Sequence, residues 1–96
     1  MEMMPADSEL YRRIDEVVHY VWDPIGVAGH PQARDEYNGY LTAIFGHVKA
    51  GDADAIVEYM KWVVTDRMGM SFDLERARRA AALMLEWKKV IEQRGE

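Results

Sequence analysis

Ninety-six residues, 49% of them hydrophobic and 30% charged, with only three prolines, point to one globular domain over 1–96, long enough to bury a core without metal or disulfide staples. The chain has no cysteine, which excludes a disulfide framework, a thiolate zinc site and a thiol nucleophile. Its formal charge of −5 argues against nucleic acid as a partner, and no apolar run approaches the roughly 20 residues of a membrane span.

The first eight residues, Met1 to Ser8, lack the basic region and apolar block of a secretory signal, so the expectation is a cytoplasmic protein with no membrane role. Charge is spread unevenly. Residues 1–58 hold four bases against eleven acids, while 59–96 hold eight against six. An acidic N-terminal half of this kind suits a basic partner, and it equally suits a solvated surface without one.

Residues 1–6 read as a frayed lead. Asp7 or Ser8 then caps a first helix over about 8–21, in which Leu10, Ile14, Val17, Val18 and Val21 recur at three- and four-residue steps. Arg12, Arg13, Asp15, Glu16 and His19 fall on its wet side, with Tyr11 and Tyr20 flanking the stripe. The helix must stop at Trp22-Asp23-Pro24-Ile25-Gly26-Val27, because Pro24 fixes its own φ and drives Asp23 out of the right-handed helical region. Asp, Pro and Gly at the first, second and fourth positions match a type I turn. Trp22, Ile25 and Val27 make this an apolar elbow pressed into the core.

A second helix is expected over about 31–50, opened by Pro31, with Asp35 and Glu36 near its positive end and Tyr37, Tyr40, Leu41, Ile44, Phe45 and Val48 on one face. Gly39 and Gly46 lie seven residues apart, on nearly one side, where another helix can come close. Lys49-Ala50-Gly51-Asp52 is a helix-to-helix junction, with a glycine for the left-handed position and an aspartate cap. A third helix follows over about 53–68 and ends at Met68-Gly69-Met70, Met70 placed to fold back on the preceding turn. Ser71 or Asp73 caps the fourth, about 72–94, whose inner face carries Leu74, Ala77, Ala81, Met84, Leu85, Lys88 and Ile91, with Ala80, Trp87 and Val90 widening it and Ala82 among the close-approach alanines. The product is an all-α, compact four-helix domain with the elbow between helices 1 and 2.

The elbow, the run Pro31-x-x-x-Asp35-Glu36-Tyr37-x-x-Tyr40 and the Met68-Gly69-Met70 exit resemble a set of small, all-helical bacterial proteins of unknown function with a W-D-P-x-G signature. The resemblance implies a compact helical protein and brings no activity with it. Size and charge also parallel toxin-neutralising immunity proteins, an analogy that does not fix function.

No recognisable catalytic set is present: there is no nucleophile elbow and no phosphate-cradling glycine loop. Adjacent Asp35 and Glu36 point about 100 degrees apart on a helix and suit a cap or an ion pair better than shared acid-base work. His19, Asp23 and His30 around the elbow are the candidate metal set, but no pair has the spacing of two ligands on one helical face. Trp22, Tyr37, Tyr40 and Trp62 are core aromatics or, alternatively, the wall of a small-molecule pocket. Arg76 and Arg79 share a face that solvent or a phosphate can occupy. The leading reading is a non-catalytic protein-binding module, immunity-like or regulatory, without cofactor or metal, and with Trp22, Asp23, Pro24, Gly26, Asp35, Glu36, Tyr37 and Tyr40 as its structural or interaction elbow. The alternative is a small ligand- or metal-binding helical domain centred on that elbow. Seven methionines and ten aromatics in so short a chain also make a homodimer an expectation to test.

Overall fold

The structure, a computed structural model, describes residues 4–23 and 37–93. Four helices carry the fold: α1 Pro5–Val17, α2 Asn38–Lys49, α3 Ala53–Trp62 and α4 Leu74–Glu92. α1 runs on into a π turn, Val18–Trp22, and α3 into another, Val63–Arg67. Among the described residues there is no strand, and no helix is long and apolar enough to cross a membrane.

α1 begins earlier than its polar residues suggest. Pro5 takes the first helical turn, where a missing amide proton costs nothing, and Met4 precedes it in extended conformation without a side-chain cap. Asp7, expected as a cap, instead reaches across to Lys49 at 2.8 Å. That bridge joins the start of α1 to the end of α2. Met4, Leu10, Lys49 and Ile91 line one pocket, so the end of α4 lies there too. α2 and α4 therefore run opposite to α1, and α3 runs opposite to both, in an up-down-up-down bundle in which α4 packs against α1, α2 and α3.

The short junctions follow the expected chemistry. Gly51 adopts a φ of 72°, its N–H bonds Val48 O at 2.9 Å and the Asp52 N–H bonds His47 O at 3.3 Å, the paired arrangement of a Schellman end. Asp52 then caps α3 through the Ala55 N–H at 3.0 Å, and Asp73, rather than Ser71, caps α4 through the Arg76 N–H at 3.0 Å. Gly69 is left-handed as expected. Met70 folds back through its backbone, its N–H bonding Val64 O at 2.8 Å, but its side chain is 39% exposed and Met68 packs against the core instead.

The core runs from Leu10, Ile14, Val18 and Trp22 through Tyr37, Leu41, Ile44 and Val48 to Ile56, Met60, Val63 and the Ala77, Ala80, Ala81, Met84 face of α4. Several assignments need correction. Residues in a π turn advance by less than 100 degrees each, so Val18 and Trp22 take inward positions and Val21 is only half-buried. Tyr20 is exposed at 59%, and His19, expected in water, is buried. Near the ends of α4, Leu74 and Val90 are exposed although assigned to the inner face, and Ala82 also faces outward. Gly39 and Gly46 are exposed, with nothing within 4 Å of an added Cβ, so they do not serve close packing. The Pro31–Glu36 stretch assigned to helix 2, and Ile25 and Val27 of the elbow, lie outside the described residues.

Trp22 is only 2% exposed. Trp22→Ala should cost about 3 to 5 kcal/mol, the usual loss for emptying a large aromatic site, and chemical denaturation will measure it. A cost under about 1 kcal/mol would mean that the indole is not a core element.

Candidate functional site

Of the eight elbow residues, Pro24, Gly26, Asp35 and Glu36 lie outside the described residues. Three of the others converge. Trp22 closes the π turn of α1, and Asp23 ends it in the left-handed region, φ 31°, with its N–H on Val18 O at 2.9 Å. That conformation costs an ordinary residue about 1 to 2 kcal/mol and is one that aspartate tolerates better than most. The Tyr37 hydroxyl donates to Asp23 Oδ1 at 2.7 Å. The Tyr37 ring, fully buried, lies 6.2 Å from the indole of Trp22 and 5.1 Å from the imidazole of His19. The last turn of α1 and the first residue before α2 are thereby clasped together.

His19 belongs to this cluster although its helical position gave no hint of it. Its Nδ1 faces two oxygens of Asp15, the backbone carbonyl at 2.9 Å and Oδ1 at 2.8 Å, which places the ring proton on that nitrogen. Nε2 is buried and has no hydrogen-bond partner among the described residues. Of the proposed metal set, His19 and Asp23 share Tyr37 as a neighbour, and His30 lies outside the described residues. Among the described residues no three metal-ligating side chains gather at one point.

Tyr40 is not part of the clasp. It lies on the flank of α2 that faces α3, electrostatically coupled to Tyr59. There a second constellation forms around Trp62, for which the expectation is a core aromatic or a pocket wall. The rings of His47 and Tyr59 are 5.7 Å apart, those of Tyr59 and Trp62 5.8 Å apart, and the Arg67 guanidinium sits 6.0 Å from the Trp62 ring. Trp62 is 44% exposed. The sequence carried this signal: two residues beyond buried Met60, at about 100 degrees each, put Trp62 about 200 degrees round the helix, on the outer side. Burial, with Tyr40 nearby, pushes the Tyr59 phenol above its ordinary pKa, and Arg67 opposes the shift.

The acids of α1 are largely engaged within the molecule. Asp7 holds Lys49, Glu9 and Glu16 flank Arg13 at 3.9 and 3.0 Å, and Asp15 holds His19. Arg13 is further spoken for by the Trp87 ring, 4.6 Å away. Asp54 and Glu58 on α3 are exposed and, among the described residues, in no ion pair. Arg76 reaches toward Trp22 O at 3.4 Å, so Arg76 and Arg79 do not form a matched pair for a phosphate. No family model, curated protein or solved structure matches the chain.

A phenol whose folded pKa lies above its unfolded value of about 10 stays protonated longer in the native state, so its contribution to stability is complete below pH 10 and is lost as pH rises through the folded value. Tyr59→Phe should therefore lose less stability than the parent between pH 9 and pH 11. Parallel denaturation curves across that range will show it; identical alkaline losses would mean that Tyr59 is not desolvated.

Proposed function

We propose that this chain is a cytoplasmic, non-catalytic protein-binding module of the immunity-like or regulatory kind, and that its contact face is the ring row along α2 and α3. The observation that carries this reading is Trp62, a large aromatic left 44% exposed at the end of a row of tilted, neighbouring rings and beside an arginine. Trp, Tyr and Arg are the side chains that most often anchor protein interfaces, the two aromatics because they cover much apolar area with little rotamer freedom to lose and arginine because its planar guanidinium both stacks and donates hydrogen bonds. Tyr59 and His47 hold the indole at a fixed tilt, so part of the ordering that binding demands is already in place. The acidity of the N-terminal half acts here as a long-range field, since the α1 carboxylates are engaged internally. A net charge of −5 favours a basic partner and association that weakens with salt. The test is recovery of a partner from extracts of the native host at low salt, followed by titration with Trp62→Ala. The variant should melt close to the parent and bind at least about tenfold more weakly, about 1.4 kcal/mol. Unchanged affinity, or a variant that unfolds, defeats the proposal.

A second reading, a metal- or ligand-binding elbow, is favoured by one observation, the buried and unpartnered Nε2 of His19. A histidine whose other nitrogen is fixed by a carboxylate is the usual form of a metal ligand. On this reading Asp23 and His30 complete the set, and zinc should raise the melting temperature in proportion to the logarithm of its concentration above the dissociation constant. Melting temperatures that ignore zinc, cobalt, nickel and manganese alike dispose of it.

A further inference from the structure

Between them, α3 and α4 form an open groove of about 820 Å³. Its floor is apolar, built from Val57, Phe72, Leu85 and the small Ala81 and Ala82. Leu74, 42% exposed, continues the apolar surface at one end. Four charged side chains line the rim: Asp54, Glu58 and Lys61 from α3, and Arg78 from α4. None of the four is in an ion pair among the described residues, whereas Lys49 and Lys88 are paired with Asp7 and Glu92.

The distribution of these charges is polar along the groove. α3 and α4 run antiparallel, and Leu85 lines a second pocket together with Gly51, so Leu85 lies at the α2–α3 junction beside the start of α3. Asp54 therefore marks the Leu85 end, Glu58 lies near the middle, and Lys61 with Arg78 marks the Leu74 end. A uniformly basic or uniformly acidic ligand would be attracted at one end and repelled at the other. A second copy of the same groove, turned end for end, is attracted at both.

We infer that this groove is a two-fold interface between copies of this chain. The symmetry axis crosses the groove between Val57 and Glu58 and at the level of Ala81 and Ala82. Asp54 of each copy then faces Lys61 of the other, because the two positions are equidistant from that axis along α3, and the Asp54 end of each meets the Arg78 end of its partner, two sets of attractions against the single repulsion of the Glu58 pair beside the axis. Such a contact is isologous and closes on itself, so it stops at two copies. At its centre the alanines let the helices approach closely, and around them Val57, Phe72, Leu74 and Leu85 leave water. Trp62 is not among the residues that line this groove, and the inference does not rest on the partner-binding reading above.

Sedimentation equilibrium between about 10 μM and about 1 mM, the range of weak self-association, should show a concentration-dependent monomer–dimer mixture that shifts to monomer as salt rises. Asp54→Lys and Lys61→Asp, both at exposed sites, should each stay folded by circular dichroism and each weaken the dimer at least about tenfold. Mixed with each other, the two variants should form a heterodimer, because every facing pair is then opposite in charge, and the double variant carrying both changes should recover the parental dimer. A parent chain that stays monomeric throughout, or a dimer that neither single change weakens and no charge exchange restores, overturns the proposal. Because Trp62→Ala leaves this groove untouched, loss of the external partner and loss of the dimer can be told apart.

Discussion

The hydrogen bond from Tyr37 to Asp23 is the constraint on which the arrangement of the bundle depends. It joins residues fourteen apart in sequence, on either side of the elbow, and it is flanked by the fully buried Tyr37 ring, by Trp22 and by His19. A carboxylate that accepts a phenol proton in a partly buried setting forms one of the stronger hydrogen bonds available to a protein. The bond also keeps Asp23 in a left-handed conformation that its own backbone disfavours. Once the end of α1 and the start of α2 are tied in this way, Asp7 and Lys49 meet at the opposite end of the same pair, and the remaining two helices can close the bundle only against the faces left apolar.

Surface and interior divide along α3. One flank of this helix turns Tyr59 and Trp62 toward α2 and the solvent, and the other turns Val57 and Lys61 toward α4. Charge follows the same division. Carboxylates on α1 are tied to Arg13, His19 and Lys49 and contribute to holding the fold, whereas those of α3 have no cation within the described residues to hold. Among the described residues, the acids of the N-terminal half are thus less a recognition surface than composition suggests, and the unpaired carboxylates Asp54 and Glu58 lie on one ten-residue helix.

Much of this was legible in the sequence. The four helices, the glycine ends at Gly51 and Gly69, the Asp52 and Asp73 caps and the inward Trp22 follow from local rules of turn chemistry and periodicity. The site was legible only in part. Tyr37 and Asp23 were named together, but their bond spans the elbow and depends on tertiary geometry that no local pattern encodes. Trp62 was assigned inward because aromatics at helical spacing are commonly core, although its offset from Met60 pointed outward. His19 could not have been found from a period of 3.6, since that period is broken within its own turn.

The break has a local cause that recurs. In each of the two π turns a side chain bonds the carbonyl four residues earlier: His19 Nδ1 meets Asp15 O at 2.9 Å, and the Thr65 hydroxyl donates to Lys61 O at 2.8 Å. A side chain that competes for that carbonyl weakens the regular ladder, and the backbone takes up five-residue bonds instead, Asp23 N–H to Val18 O and Met68 N–H to Val63 O, both at 2.9 Å. The wider turn allows consecutive large residues to face inward, Val17 with Val18 and Val63 with Val64. In α1 the same shift brings the imidazole inside. Its second nitrogen is then left without a described partner, so the device that completes the core at this end also places the one buried polar atom that a ligand at the elbow would use.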